Sequence, residues 1–361
     1  MRRLLFLAIL PAVASATAIT SVDNLGSLGS GESVAYGINV SGLAVGWSTN
    51  SDGITNAFGA NGPGSLFDFS ALASGAESYA YGVNSAGAVA GVFYENGESH
   101  GAIWTAGGGM ADLGPGSIAT TINDSGVAAG GNGQAFIYAN GEIRQLGTLA
   151  GGNWSAAYAV NEGGDVVGYG NTGSGAFRGF YWTGTTLISI GTLGGDNSYA
   201  MDINDSGQIV GDASTSSGYL HAFSTTGGAM QDLGTLGGTS SFAYGVNNSG
   251  LVVGYSTTSD GGTHAFLYEN GEMVDLNSLL PDGSGWVLLQ AYGINDQNQI
   301  VGTGLWNGEE RAFRVNLDTG SPVPEPGVCM LVACGGVLLS LGSWLRRRSE
   351  PAANQEEFPP K

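Results

Sequence analysis

Phe242-Ala243-Tyr244-Gly245-Val246-Asn247-Asn248-Ser249-Gly250-Leu251-Val252-Val253-Gly254-Tyr255-Ser256 reads as two short strands joined by a tight turn. Asn248-Ser249-Gly250 supplies residues that tolerate positive φ, and Leu251 to Ser256 is apolar and β-branched, as a buried strand requires. After a polar loop, His264-Ala265-Phe266-Leu267-Tyr268 predicts a third strand. Asn270-Gly271 is a strong two-residue hairpin signal, and Glu272-Met273-Val274-Asp275-Leu276 predicts the fourth strand.

The first phrase recurs along the chain. Its asparagine falls at Asn39, Asn84, Asn123, Asn161, Asn204, Asn247 and Asn295, in steps of 45, 39, 38, 43, 43 and 48 residues. A near-constant period of that size marks a repeat architecture, and four strands per period is the content of one propeller blade. No segment inside the repeats carries helical periodicity over ten residues. Glycine is 65 of 361 residues and recurs at fixed places, which is turn and close-packing chemistry rather than a flexible linker. The fold class expected is all-β, a β-propeller of seven four-stranded blades; the alternative is a β-solenoid. The seventh copy favours the ring. It has Tyr292-Gly293-Ile294-Asn295, Gln299-Ile300-Val301-Gly302 and Arg311-Ala312-Phe313-Arg314-Val315, then lacks a fourth strand. Val22-Asp23-Asn24-Leu25-Gly26 at the N-terminal end can supply it and close the ring, whereas a solenoid would need caps.

Inside the repeats, His100, His221 and His264 each precede an aspartate by eleven or twelve residues: Asp112, Asp232 and Asp275. Gln134 with Gln145, Asn56 with Asp68, and Arg178 with Ser189 hold the same positions in other copies. Arg311 in the seventh finds Asp23 on the N-terminal strand. These read as structural cross-strand polar pairs. Catalysis or metal binding is disfavoured, because the pairs sit in separate blades and no copy adds a third ligand or nucleophile. His221-Ala222-Phe223 and His264-Ala265-Phe266, with 230–238 and Ile203-Asn204-Asp205-Ser206-Gly207, resemble the extracellular HAF repeat family over nearly all of 20–316. That resemblance implies an exported bacterial repeat protein with no assigned reaction.

The two ends carry the sorting information. Residues 1–18 read as a signal peptide: Arg2 and Arg3, an apolar stretch over 4–13, then Ala16-Thr17-Ala18 as the cleavage site for signal peptidase. The propeller is expected over 19–321. Val323-Pro324-Glu325-Pro326 follows, then an uncharged run over 327–345, then Arg346-Arg347-Arg348. As a helix at about 1.5 Å per residue the run spans a bilayer, and the arginines hold its end in the cytoplasm. This order over 322–348 resembles the PEP-CTERM sorting signal of Gram-negative bacteria. It implies an inner-membrane precursor, cut by an exosortase-type protease and passed to the cell surface or extracellular matrix. The chain departs from that pattern by adding a predicted cytoplasmic tail over 349–361.

Composition removes several function classes. Both cysteines, Cys329 and Cys334, sit in the apolar run, so the repeats have no disulfide, thiolate metal site or cysteine nucleophile. Residues 19–322 hold 26 acidic and four basic residues (Arg144, Arg178, Arg311, Arg314) and no lysine, a net of 4 − 26 = −22. Nucleic-acid binding depends on cationic contacts to phosphate and is excluded as a partner class. No nucleophile elbow, His-Glu-x-x-His or phosphate loop occurs. No cofactor is implied; calcium is the one metal to consider, at Asp202-x-Asn204-Asp205 and Asn295-Asp296-Gln297-Asn298, although neither has EF-hand spacing. Trp47, Trp154, Trp182 and Trp306 serve blade packing or a sugar-binding surface. The expectation is a non-catalytic exported binding or structural module, with extracellular polysaccharide as a ligand. The alternatives are a polysaccharide-acting enzyme and a protein-binding adhesin.

Overall fold

A computed structural model describes residues 17–319, apart from 30, 70–76, 106 and 227. The strands form seven separate four-stranded sheets, each a blade. Blades 1 to 6 cover 33–68, 78–115, 118–147, 155–189, 194–232 and 237–275, each an antiparallel meander in chain order. Blade 7 takes its three inner strands from 286–318 and its outermost strand from Ala18–Gly26. The first strands of all seven pack on one another in a closed circle, which a solenoid cannot do.

The closing strand is held by polar pairs. Thr20 Oγ1 donates to the Asn316 carbonyl (3.0 Å), Asn316 Nδ2 to Ser21 Oγ (2.7 Å) and Arg314 to Asp23 Oδ2 (2.7 Å). Leu25 on the same strand is fully buried with Ala35, Phe58 and Val301, so the N-terminal strand also fills the core between blades 7 and 1.

Two features of the repeated phrase explain its local structure. In every blade the pairing of first and second strands skips one residue: between Ala35 and Gly37, Ala80 and Gly82, Ala119 and Thr121, Ala157 and Ala159, Ala200 and Asp202, Ala243 and Gly245, Ala291 and Gly293. A β-bulge re-aims the unpaired side chain. The unpaired residues are Tyr36, Tyr81, Thr120, Tyr158, Met201, Tyr244 and Tyr292, and all seven line the central cavity. Second, the glycine ending Val-Val-Gly admits no side chain. A Cβ on Gly254 would lie 1.9 Å from the Phe242 carbonyl oxygen, and the equivalent atom on Gly46, Gly211 and Gly302 meets the same obstacle at 1.9 Å.

The core consists of clusters that mostly straddle two blades. Between blades 5 and 6, for example, Val210, Ala222 and Leu233 meet Ala243, Val246, Val252 and Phe266. A phenylalanine of the third strand is fully buried in six blades: Phe58, Phe136, Phe180, Phe223, Phe266 and Phe313. Among the described residues no helix is long and apolar enough to cross a membrane. The sorting-signal residues Val323, Pro324, Glu325, Pro326, Arg346, Arg347 and Arg348, the apolar run and residues 1–16 lie outside the described residues.

Candidate functional site

The repeated asparagines come first, because they occur in every copy. Each Oδ1 accepts the main-chain N–H four residues on, as Asn247 does from Leu251 (3.0 Å). Each Nδ2 donates to the carbonyl of the next blade's asparagine: Asn39 to Asn84 (2.8 Å), then Asn123 (3.1 Å), Asn161 (2.9 Å), Asn204 (3.3 Å), Asn247 (3.0 Å), Asn295 (3.2 Å) and back to Asn39 (2.8 Å). The circle is complete. Only a side chain with one acceptor and one donor at this length can make both bonds, so the asparagine serves ring closure and not chemistry.

The residues just after them, Val40, Ser85, Asp124, Glu162, Asp205, Asn248 and Asp296, collar that end of the channel around a cavity of about 280 Å³. Most bond sideways in the same sense. Ser85 N donates to Asp124 (2.6 Å), Asp124 N to Glu162 (2.6 Å), Glu162 N to Asp205 (2.9 Å) and Asn248 N to Asp296 (2.8 Å). The residues weighed for calcium are therefore engaged with main chain. Asp202 accepts from Val246 N and Ile203 N (both 2.8 Å), and Asn204, Asp205, Asn295 and Asp296 all belong to the two circles. Among the described residues no group of three acidic, histidine or cysteine side chains could hold a metal.

The histidine–aspartate pairs sit on the third and fourth strands, far out on the blades. His100 Nδ1 lies 3.1 Å from Asp112, His221 2.9 Å from Asp232 and His264 2.7 Å from Asp275. The pairing of Arg311 with Asp23 needs correction. Arg311 pairs with exposed Glu309 (2.5 Å), and Asp23 belongs to Arg314. The register explains this. Thr20 meets Asn316 and Asp23 meets Arg314, so the two strands run in opposite senses and Arg311 falls beyond Asp23. The true counterpart of Asp112 and Asp232 is Asn24: its Oδ1 accepts Gly26 N at 2.8 Å, as Asp112 accepts Gly114 N and Asp232 accepts Gly234 N. Two other expected pairs resolve differently. Gln145 donates to Asn132 (3.1 Å) and Arg178 to the Phe177 carbonyl (3.1 Å).

The opposite mouth of the channel is aromatic. The seven bulge residues open into a cavity of about 480 Å³, which also reaches Ile118, Gly131 and Trp154. Tyr36 contacts both Tyr81 (5.5 Å between centroids) and Tyr292 (4.9 Å), and Tyr292 contacts Tyr244 (5.3 Å). Trp154, Tyr169 and Tyr158 continue the belt on blade 4. Burial, with lesser help from neighbouring hydroxyls and carboxylates, pushes the pKa of Tyr81, Tyr169, Tyr244 and Tyr292 above the usual phenol value, so these phenols stay neutral. Of the four tryptophans singled out in the sequence, Trp47 and Trp154 reach this mouth, Trp47 through its hydrogen bond to Tyr36 (3.2 Å). Trp182 is buried under Arg144, and Trp306 sits partly exposed at the outer end of its strand.

Two second-strand positions depart from their sister blades. The second-strand residues opposite Val34, Tyr79, Ile118, Ala156, Tyr199, Phe242 and Gln290 are Trp47, Val92, Gly131, Tyr169, Asp212, Tyr255 and Thr303. Gly131 leaves the cavity its lateral extension beside Trp154. Asp212 puts a carboxylate where two neighbours have tyrosine. It is 6% exposed, and loss of solvation pushes its pKa up to about 7. Burial likewise pushes Asp202 to about 7, against the opposing pull of its two main-chain donors. Neither aspartate was singled out as an ionisable site from the sequence; aligning the copies by strand position would have exposed Asp212.

A family described only as a protein of unknown function (DUF3466) matches residues 191–324, less than half of the chain. No curated protein matches. Among solved structures, a puromycin-hydrolyzing peptidase of Mycobacterium tuberculosis is similar over 78% of this chain and 50% of its own, at 15% identity and a TM-score of 0.50. TolB of Acinetobacter baumannii is similar over 81% of this chain and 64% of its own, at 11% identity and TM-score 0.44. A gluconolactonase of Xanthomonas campestris is similar over 86% and 97%, at 13% identity and TM-score 0.42. At these identities the likeness extends to the fold alone.

Proposed function

We propose that this propeller is an exported, non-catalytic binding module that takes extracellular polysaccharide into its aromatic mouth. The observation that carries the reading is the belt of neutral tyrosines with Trp154 around a cavity of about 480 Å³, the size range of a small-ligand site. Aromatic faces suit the apolar faces of sugar rings, and neutral phenols suit their hydroxyls. The sorting reading belongs to the same proposal: a signal peptide over 1–18, a PEP-CTERM segment over 322–348 cut by an exosortase-type protease, a tail over 349–361, and delivery from the inner membrane to the cell surface or matrix.

A hydrolase is the second reading, favoured by Asp212 as a carboxylate unique to one blade. Glycoside hydrolysis uses two carboxyl groups about 5 to 9.5 Å apart.

The test is titration of the purified ring (17–319, one compact unit over Ile19–Asp318) with the producing cell's own extracellular polysaccharide, followed by tryptophan fluorescence and by sizing of the sugar. Saturable binding with unchanged chain length is the expected result. Release of shorter sugars would move the protein to the hydrolase reading, and no binding would leave the adhesin.

A further inference from the structure

The cavity at the aromatic mouth extends to one side. Besides the seven bulge residues around the axis, it reaches Gly116, Gly131, Gly133 and Ala156 at blades 3 and 4. The second strand of blade 3, Ala128–Gly131, is four residues long, whereas those of the other blades run six to eight. Its last residue faces blade 4: a Cβ on Gly131 would lie 3.0 Å from that of Ala156. The sister positions of Ala156 hold Val34, Tyr79, Ile118, Tyr199, Phe242 and Gln290, all larger. A Cβ on Gly116 or Gly133 would meet no atom within 4 Å. The short strand and small residues thus leave a notch in the wall between blades 3 and 4.

Trp154 stands beside that notch. The residue before the first-strand serine is Glu32, Glu77, Gly116, Asn197 or Ser240 in other blades, so the indole belongs to blade 4 alone. Trp154 N donates to Asn171 Oδ1 (2.8 Å), and Asn171 Nδ2 donates to Asn153 (2.7 Å), which pins the chain that carries the ring. Tyr169 (5.5 Å between centroids) and Phe177 (6.1 Å) back the indole, which stays partly exposed where it lines the cavity. A held, partly exposed indole is a platform for a flat apolar face.

Charge narrows the ligand further. Among the described residues lining the cavity none is acidic or basic, in a protein of net charge −20. The four arginines of the ring are engaged elsewhere: Arg144 over Trp182, Arg178 on the Phe177 carbonyl, Arg311 on Glu309 and Arg314 on Asp23. A carboxylate or phosphate on the ligand would lose water here and gain no counter-charge, and the field of the ring would oppose its approach.

We infer that the notch between blades 3 and 4 is the specificity-determining subsite of the mouth, where Trp154 stacks one unit of an uncharged stretch of glycan chain. This rests on the proposed polysaccharide reading for the glycan, and on the cavity lining for its neutrality.

The producing cell's extracellular polysaccharide is partly hydrolysed and separated on an anion exchanger into neutral and acidic fractions. Part of the acidic fraction is then reduced so that its carboxyl groups become alcohols. Each is titrated into the ring, for wild type, Trp154→Ala, Ala156→Phe and, as a control outside the cavity, Trp306→Ala. Ala156→Phe fills the notch with the side chain that blade 6 carries at Phe242. The expected result is binding of the neutral fraction about tenfold tighter than of the acidic one, with carboxyl reduction restoring the acidic fraction. Trp154→Ala and Ala156→Phe should each lose about tenfold, and Trp306→Ala nothing. Acidic chains that bind as well as neutral or reduced ones overturn the inference and leave the polysaccharide reading standing. So does neutral binding that both notch variants, folded by circular dichroism, leave unchanged. Binding of no fraction removes the polysaccharide reading and the inference together.

Discussion

Replacing Asp212 by asparagine should stabilise this protein, and only at neutral and higher pH. The carboxyl is pushed up from its ordinary value of 3.8 to about 7 on folding, through desolvation. At about 1.4 kcal/mol per unit, a shift of about three units sets a ceiling near 4 kcal/mol. The sign follows from linkage. The folded state holds the proton more tightly than the unfolded chain, so ionisation weakens folding progressively as pH rises from about 4 to about 7. Above that window the whole cost is present; below it both states are protonated and the cost vanishes. Asparagine has nearly the same shape and never ionises. Urea unfolding of the ring at pH 8 should place Asp212→Asn above wild type by about 2 to 4 kcal/mol, with the gap shrinking steadily toward pH 4. Asp202→Asn is the internal contrast, since its carboxylate accepts two main-chain bonds that the substitution weakens. If Asp212→Asn were no more stable than wild type at pH 8, or showed a gap independent of pH, the carboxylate must have a partner and the reasoning fails.

Three further outcomes test how the ring is held. Asn295→Ala removes the bond that returns the asparagine circle to Asn39 and orphans buried groups, so calorimetry should show a loss of about 1 to 3 kcal/mol. Arg314→Ala should cost more than Arg311→Ala: Arg314 joins Asp23 to the carbonyls of Gly42 and Asn61, whereas Arg311 pairs with exposed Glu309, a contact worth about 0 to 1 kcal/mol; thermal midpoints of the two variants decide. Gly254→Ala should prevent blade 6 from forming in its present register, because the new Cβ would lie 1.9 Å from a carbonyl oxygen; a soluble variant with wild-type circular dichroism and midpoint would contradict the close approach.

The fold was legible because the determinants repeat. The asparagine recurs in seven copies, four of them as Tyr-Gly-x-Asn, and two apolar residues followed by Gly recur in all seven; these announce seven bulges and seven close approaches, and the missing fourth strand of the last copy points to the N-terminal segment. Register was less legible. Asp23 and Asn24 are adjacent, and spacing alone favoured the charged one as the partner of Arg311. The bond from Gly26 N to Asn24 identifies the true counterpart, because that residue caps a Gly-containing turn as Asp112 and Asp232 do. The site was least legible. The phrase contains the tyrosine, but that it faces the channel depends on a skipped pair between two strands, and no residue type encodes a skip.

The same repetition separates scaffold from site. A residue present in all seven blades must satisfy seven identical environments, and the asparagines do so with both ends of every side chain engaged. Such residues have no atom left for a ligand that binds once. Recognition of one ligand on a ring with near sevenfold symmetry therefore requires departures from that symmetry. The aromatic mouth carries two: Gly131, where the sister positions bear side chains, and Trp154 beside it. The asparagine end departs less, with carboxylates spread over four blades and tied into the collar by main-chain N–H groups. Asymmetry and an aromatic lining coincide at this mouth, and that supports the proposed binding there.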